Sequence, residues 1–196
     1  MMNITPITLS GTYARLEPLH LDHVEALFDA AQHEAIWTFL PEKAGQSLEN
    51  MQAWVKQALR EQEEGTSLPF VIVSLQHDCI VGSTRYLDID RVNRGLEIGW
   101  TWLNPLAQRT SINTECKYTL LRHAFETLGC IRVQLKTDVR NLQSQRAIER
   151  IGGIKEGILR QHRILSDGYR RDSVLYSILD TEWPHVKVKL EAKLSK

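Results

Sequence analysis

The chain has 196 residues, with Lys plus Arg matched to Asp plus Glu at 24 each. That length supports one substantial core, and a balanced charge excludes a general electrostatic affinity for nucleic acid or an anionic membrane. Hydrophobic residues make up 42%, an ordinary globular share, yet no uninterrupted apolar run approaches a membrane span. The opening stretch MMNITPITLSGTYARL lacks the basic start and apolar block of a secretory signal. Cys79, Cys116 and Cys130 are widely spaced and odd in number; Cys79 and Cys130 lie among apolar residues and read as reduced core positions. The expectation is a cytoplasmic protein built as a single domain over residues 1–196.

Thr12–Leu19 alternates and reads as a first strand. The segment LDHVEALFDAAQ carries Leu21, Val24, Leu27, Phe28 and Ala31 at helical spacing. Ser47 caps a second helix through Arg60, with Met51, Trp54, Val55 and Ala58 on its apolar side. PFVIVSL and CIVGSTRYLDI are strands joined by the turn QHD, and GLEIGWTWL follows the polar turn DRVNRG. In that last strand Leu96, Ile98, Trp100 and Trp102 fall on one face, and Glu97, Gly99 and Thr101 on the other. A loop, NPLAQRTSINTECK, leads to a helix reaching Leu128, where Gly129 caps it. CIRVQLKT is a strand, Asn141 begins a helix that stops at Gly152-Gly153, and two strands flank the turn Ser166-Asp167-Gly168. A final helix follows Pro184. The order predicts an α+β domain with a mixed sheet: antiparallel hairpins stand on both sides of a central strand-helix-strand crossover. Where two parallel strands splay beside the crossover helix, a cleft opens at the helix N-terminus.

Three places carry chemical interest. The loop Gln108–Thr114 presents unsatisfied backbone N–H groups at a helix start, where the helix dipole favours an anion; read locally, it is equally a connection capped by Thr114 or Ser111. Asn141 and Ser144 open a second helix directly after a strand, so two such junctions flank one expected cleft. Glu97 is a carboxylate within a central strand, which requires a partner, a wet cleft or a catalytic task; the plain alternatives are a solvated face or an ion pair with Arg85 or Arg132. The Cys and His residues show no metal-ligand spacing, so no metal is expected.

The stretches IVGSTRYLDID, LEIGWTWLNP, QRTSINTECK, RNLQSQRAIERIGGIKEGILR and RDSVLYSIL, in that order, resemble the GNAT superfamily of acetyl-CoA-dependent N-acyltransferases. The resemblance is closest to its RimJ/RimL-like branch, which acetylates protein N-termini and small amines. It implies a mostly antiparallel sheet flanked by helices, with a splayed parallel pair forming the acetyl-CoA cleft. The family's pyrophosphate loop, Gln/Arg-x-x-Gly-x-Gly/Ala, falls on Gln108, Arg109, Thr110, Ser111, Ile112 and Asn113, with Thr114 next. Ser111 and Asn113 thus replace the family's small residues. The second motif falls on Asn141, Ser144, Gly152 and Glu156-Gly157, and Ile148 stands where many members carry a proton-donating Tyr.

The resemblance further implies direct attack of an amine on acetyl-CoA. The backbone of Trp102 and Leu103 pairs with the pantetheine arm, Glu97 acts as base through water, and Ser144 serves the leaving thiolate. Asn141 orients the pantetheine or a water. Trp37, Phe39, Arg85 and Tyr86 are the candidate acceptor-site residues, with core packing as the alternative for the aromatics. The cluster Arg160, Arg163, Arg170 and Arg171 is either a solvated hairpin or a partner for the CoA 3′-phosphate or an acidic acceptor. The partners implied are acetyl-CoA and an amine acceptor, either a protein N-terminus or a small molecule. Neither nucleic acid nor membrane is expected, and the state is a monomer or homodimer. A non-catalytic acyl-CoA-binding module with a degenerate loop is the competing functional class.

Overall fold

Two short strands, β1 (Leu9–Ser10) and β2 (Ala14–Pro18), precede the helices α1 (Val24–Ala30) and α2 (Leu48–Glu63) in the computed structural model, which describes residues 2–165 and 167–195. Ser166, part of the expected hairpin turn, lies outside the described residues. Three antiparallel strands follow: β3 (Leu68–Ser74), β4 (Cys79–Asp90) and β5 (Gly95–Leu103). The crossover is α3 (Ser111–Arg122) into β6 (Arg132–Asp138), then α4 (Leu142–Arg150), the hairpin β7 (Ile154–Ile164) and β8 (Arg170–Leu179), and α5 (Trp183–Leu194). The sheet order is β1-β2-β3-β4-β5-β6-β8-β7, and β5–β6 is its parallel pair.

Local chemistry explains most of these elements. Ser47 accepts the Asn50 N–H at 3.1 Å and starts α2, whose buried Met51, Trp54, Val55 and Ala58 follow the i, i+3, i+4, i+7 spacing of one helix face. β3 is buried along its whole length because it lies inside the sheet with layers on both faces. β7 is an edge strand, at the opposite end of the sheet from β1, and is largely exposed.

Two apolar clusters cover the two faces. One joins Leu96, Ile98, Val133, Leu135, Val174 and Tyr176 of the sheet to α3, α4 and α5. The other joins Val71, Val73 and Trp102 to α1, α2 and the segment around Trp37. Each fully buried aliphatic side chain in them contributes about 1.5–3 kcal/mol.

Three expectations are corrected here. Cys79 is exposed at the start of β4, while Cys116 and Cys130 are buried. The hydroxyl capping α3 belongs to Thr110, not Thr114 or Ser111: it accepts the Ile112 N–H at 3.3 Å and donates to the Ala107 carbonyl at 2.7 Å. The alternation in β5 does not persist. Trp100 is left-handed (φ 50°), and Trp100 and Thr101 together oppose Thr84, since Ser83 pairs with Trp102 and Arg85 with Gly99. This bulge reverses the faces, so Trp102 joins the α1/α2 cluster and Leu103 joins the α3 cluster.

A buried carboxylate ties the N-terminal strand to the crossover helix. Glu115 of α3 accepts the backbone N–H groups of Thr12, Tyr13 and Ala14 at 2.7, 2.6 and 2.7 Å. Truncating it leaves those donors without acceptors, so Glu115→Ala should lower unfolding stability by about 2–4 kcal/mol. Urea denaturation followed by tryptophan fluorescence measures this; a loss below about 0.5 kcal/mol would show that water replaces the carboxylate.

Candidate active site

The β5–β6 ladder runs only from Gly95↔Arg132 to Glu97↔Gln134. Beyond Glu97 the strands part, and the backbone of β5 has no ladder partner on that side. A cleft of about 520 Å³ fills the gap, bounded by Glu97, Gly99, Trp102, Asn113, Lys117 and Ser144 among others. An unpaired strand edge inside a domain must meet water or a ligand carrying its own donors and acceptors.

Glu97 lies at the cleft floor and is 5% exposed. Its partner is Lys136, at 2.7 Å, rather than Arg85 or Arg132. Lys136 also reaches Asp88 at 3.0 Å. Burial pushes the Glu97 carboxyl above the usual carboxylate range, and the Lys136 ammonium offsets only part of that. Gly99 leaves its Oε1 unobstructed, since a Cβ there would stand 2.9 Å from it.

At the α3 junction Arg109 is left-handed (φ 60°) and the chain turns directly into the helix. The N–H groups of Arg109, Thr110, Ser111 and Asn113 have no protein acceptor among the described residues. The side chains of Ile112 and Thr114 are buried, so this loop meets a ligand mainly through its backbone. Gln108 donates to the Leu103 carbonyl at 3.0 Å and fastens the loop to the end of β5, which commits that carbonyl. Trp102 borders the cleft, and its indole N–H is buried without a partner. Asn141 caps α4 by accepting the Ser144 N–H at 3.0 Å, so its carbonyl oxygen is already engaged. Ser144 lines the cleft, and its hydroxyl has no partner among the described residues.

The candidate acceptor residues separate. Phe39 borders the cleft. Trp37 is buried in the α1/α2 cluster, its ring 5.6 Å from that of Trp102 and its indole N–H on the Ala31 carbonyl. Arg85 is buried in an ion pair with Glu61 at 2.9 Å, its guanidinium 4.8 Å from the rings of both Trp54 and Trp100. Tyr86 is fully buried and donates to the Leu120 carbonyl at 2.6 Å. These three support the core and do not reach the cleft.

The sequence reading missed two lysines. Lys136 alternates with Val133 and Leu135 in its strand and carries no local signal of a partner. Lys117 on α3 crosses the cleft wall to donate to Thr101 Oγ1 at 2.6 Å. Burial holds its pKa down at about 8. Burial also pushes the Cys116 thiol up to about 12, which removes it as a nucleophile. Among the described residues no three His, Cys, Asp or Glu side chains gather as a metal site, and no helix is long and apolar enough to cross a membrane.

The family model described as "Acetyltransferase (GNAT) domain" matches residues 14–154. A crystal structure of a GCN5-related N-acetyltransferase from Brucella melitensis is 31% identical, with a TM-score of 0.89, covering 99% of this chain and 90% of that one. YdaF of Bacillus subtilis (strain 168), provisionally named a ribosomal N-acetyltransferase, is 36% identical over 96 residues, 49% of this chain and 51% of that protein. That match therefore spans about half of YdaF. The ribosomal-protein-serine acetyltransferase of Escherichia coli (strain K12) is 28% identical over 137 residues, 70% of this chain and 75% of its own length.

The depressed pKa of Lys117 yields a stability test. Its folded value, about 8, lies below the unfolded value of 10.5, so between them the unfolded chain binds more protons and stability rises with pH. Lys117→Met removes that contribution. The stability of the variant relative to wild type should be highest near pH 7 and shrink toward pH 10, by denaturant titration at each pH. A difference that stays flat would show Lys117 to be solvated.

Proposed function

This chain belongs to the GNAT acetyltransferase family, and we propose that, as a member of its RimJ/RimL-like branch, it transfers an acetyl group from acetyl-CoA to a primary amine, the N-terminus of a protein. The observation that carries this reading is the parting of β5 and β6 beyond Glu97, with two helix N-termini on one side and a buried carboxylate at its floor. The free N–H groups of Arg109, Thr110, Ser111 and Asn113 fit a pyrophosphate, and the unpaired edge of β5 fits an amide-bearing arm. The side chains of Ser111 and Asn113 have no protein partner among the described residues and are free to add hydrogen bonds to the same anion. The protein acceptor follows the relatives named for ribosomal-protein acetylation, and such a substrate supports a cytoplasmic protein.

Acetyl-CoA supplies the activated thioester and a thiolate leaving group. The protein's part is to hold two reactants and move two protons. Glu97, raised by burial, accepts a proton from the incoming ammonium through water. Lys136 keeps the Glu97 side chain oriented at 2.7 Å. Ser144, whose hydroxyl is free at the opposite wall, serves the departing sulfur, because Ile148 offers no hydroxyl. Asn141, through its cap on the Ser144 N–H, fixes the position of that residue.

Two variants test the roles. Glu97→Gln should lower kcat roughly a hundredfold or more. In the wild type, activity should fall as pH drops through the raised Glu97 pKa, giving an acid limb above the ordinary carboxylate range that the variant lacks. Thiol release against an N-terminal peptide across pH reads both; identical profiles would remove the base assignment. For Ser144→Ala, slower turnover with unchanged KM for acetyl-CoA is expected. A rise in KM alone would make Ser144 a binding residue.

A further inference from the structure

The opposite wall of the cleft carries a concentration of positive charge that the transfer chemistry leaves unused. Leu96, Ile98, Val133, Leu135, Val174 and Tyr176 face α3, so the alternate positions Glu97, Lys136 and Arg171 face the other side, under the segment containing Phe39. Arg171 donates to the Phe39 carbonyl at 3.3 Å, which fixes that segment above it. Arg163 is the direct cross-strand partner of Arg171, and His162 lies beside it, 3.1 Å from Ser173 Oγ. All four cationic or titratable groups, Lys136, His162, Arg163 and Arg171, border the cleft.

Two of them are anomalous. Arg171 is only 8% exposed, its Nε is buried without a partner, and no carboxylate lies within ion-pair distance among the described residues. Asp138, the acid closest to it in the field, is held by Arg140 through bonds of 2.8, 3.0 and 2.7 Å. Arg163 likewise has no hydrogen-bonded or ionic partner among the described residues. Like charges set directly opposite on neighbouring strands repel, and a buried guanidinium without a counter-ion is unfavourable. Of the other acids of this face, Glu97 and Asp88 are both engaged by Lys136, and Glu156 is engaged by Arg132. The face therefore lacks an anion.

Resting on the acetyl-transfer reading, we propose that the acceptor carries a carboxylate next to its reactive amine, held by Arg171 and Arg163. A phosphate of the acyl donor is the other source of negative charge. The free N–H groups of Arg109, Thr110, Ser111 and Asn113 and the start of α4 lie on the α3 side of the sheet, whereas the arginine pair lies on the α1/α2 side. The two sites thus divide donor from acceptor. The substrate class is a protein or peptide N-terminus followed closely by Asp or Glu.

The test compares the isosteric peptides Ser-Asp-Ala-Gly-amide and Ser-Asn-Ala-Gly-amide as acceptors for the full chain. The acidic peptide should have a kcat/KM about tenfold higher, through KM, as one desolvated charge-assisted contact gives. Arg163→Gln, at a half-buried position that can be changed without emptying the core, should abolish most of the preference, and Arg163→Lys should retain part of it. The KM for acetyl-CoA should stay within about twofold throughout. Equal kcat/KM for the two peptides in the wild type would overturn the proposal. So would a preference that survives in Arg163→Gln, or a KM for acetyl-CoA that rises in step with the lost preference, which would assign the pair to the donor. The transfer reading fails differently, by releasing no thiol with any amine. In that event, calorimetry with the N-acetylated forms of the two peptides still decides: tighter binding of the Asp peptide sustains the anion site, and equal affinity removes it.

Discussion

The left-handed backbone of Trp100 governs the rest of the structure. A bulky residue rarely adopts positive φ, and doing so costs of order 1–3 kcal/mol. Its surroundings offset that strain. Trp100 and Trp54 each place a ring 4.8 Å from the Arg85 guanidinium, and Arg85 is anchored in turn by Glu61. This packing locks the bulge in place. The bulge lies just past the last β5–β6 pair, at Glu97, and exchanges which side chains of β5 face which layer where the strand borders the cleft.

The two sides of the cleft are built from different materials. On the α3 side, the groups free to meet a ligand are backbone donors at helix starts, which need no net charge. On the α1/α2 side they are ionised side chains: Glu97, Lys136, Arg163 and Arg171. This division reconciles a chain of zero formal charge with a strongly polar interior site. It also explains why Glu97 keeps a raised pKa beside a lysine: Lys136 is shared with Asp88, so the burial of Glu97 is only partly compensated.

The order of elements, the parallel crossover and the two strand-to-helix junctions were legible because each depends on local signals: hydrophobic period, caps and glycine stops. The reversal of faces in β5 was not. Strict alternation assigns Trp100 and Trp102 beside Ile98, and a tryptophan at positive φ carries no local signature; Gly99 next to it was the sole hint of irregularity. Arg85 and Tyr86 were misjudged for a related reason. In sequence they resemble a polar strand end, but α2 supplies Glu61 and α3 supplies the Leu120 carbonyl from remote parts of the chain. Arg171 sits on a hairpin that reads as solvated, and the segment carrying Phe39, distant in sequence, packs on it; Lys136 is engaged by Glu97 and Asp88 from two other strands. Lys117 hid among polar residues of α3, since its partner Thr101 comes within reach only after the bulge turns that residue toward the helix.

The position of α3 follows from these same contacts. Ile112, Cys116 and Leu120 set one face of the helix in the core. Glu115 fastens it to Thr12, Tyr13 and Ala14 on one flank, and Lys117 fastens it to Thr101 on the other. Gln108 and Thr110 fix the loop that leads into it. A donor array gains from being held before its ligand arrives, because binding then orders little that was free. The residues doing the holding have their side chains engaged by protein groups, so their substitution should act on the array through geometry. In a loop lacking the family's glycines, that external bracing substitutes for the close backbone packing that small residues provide elsewhere.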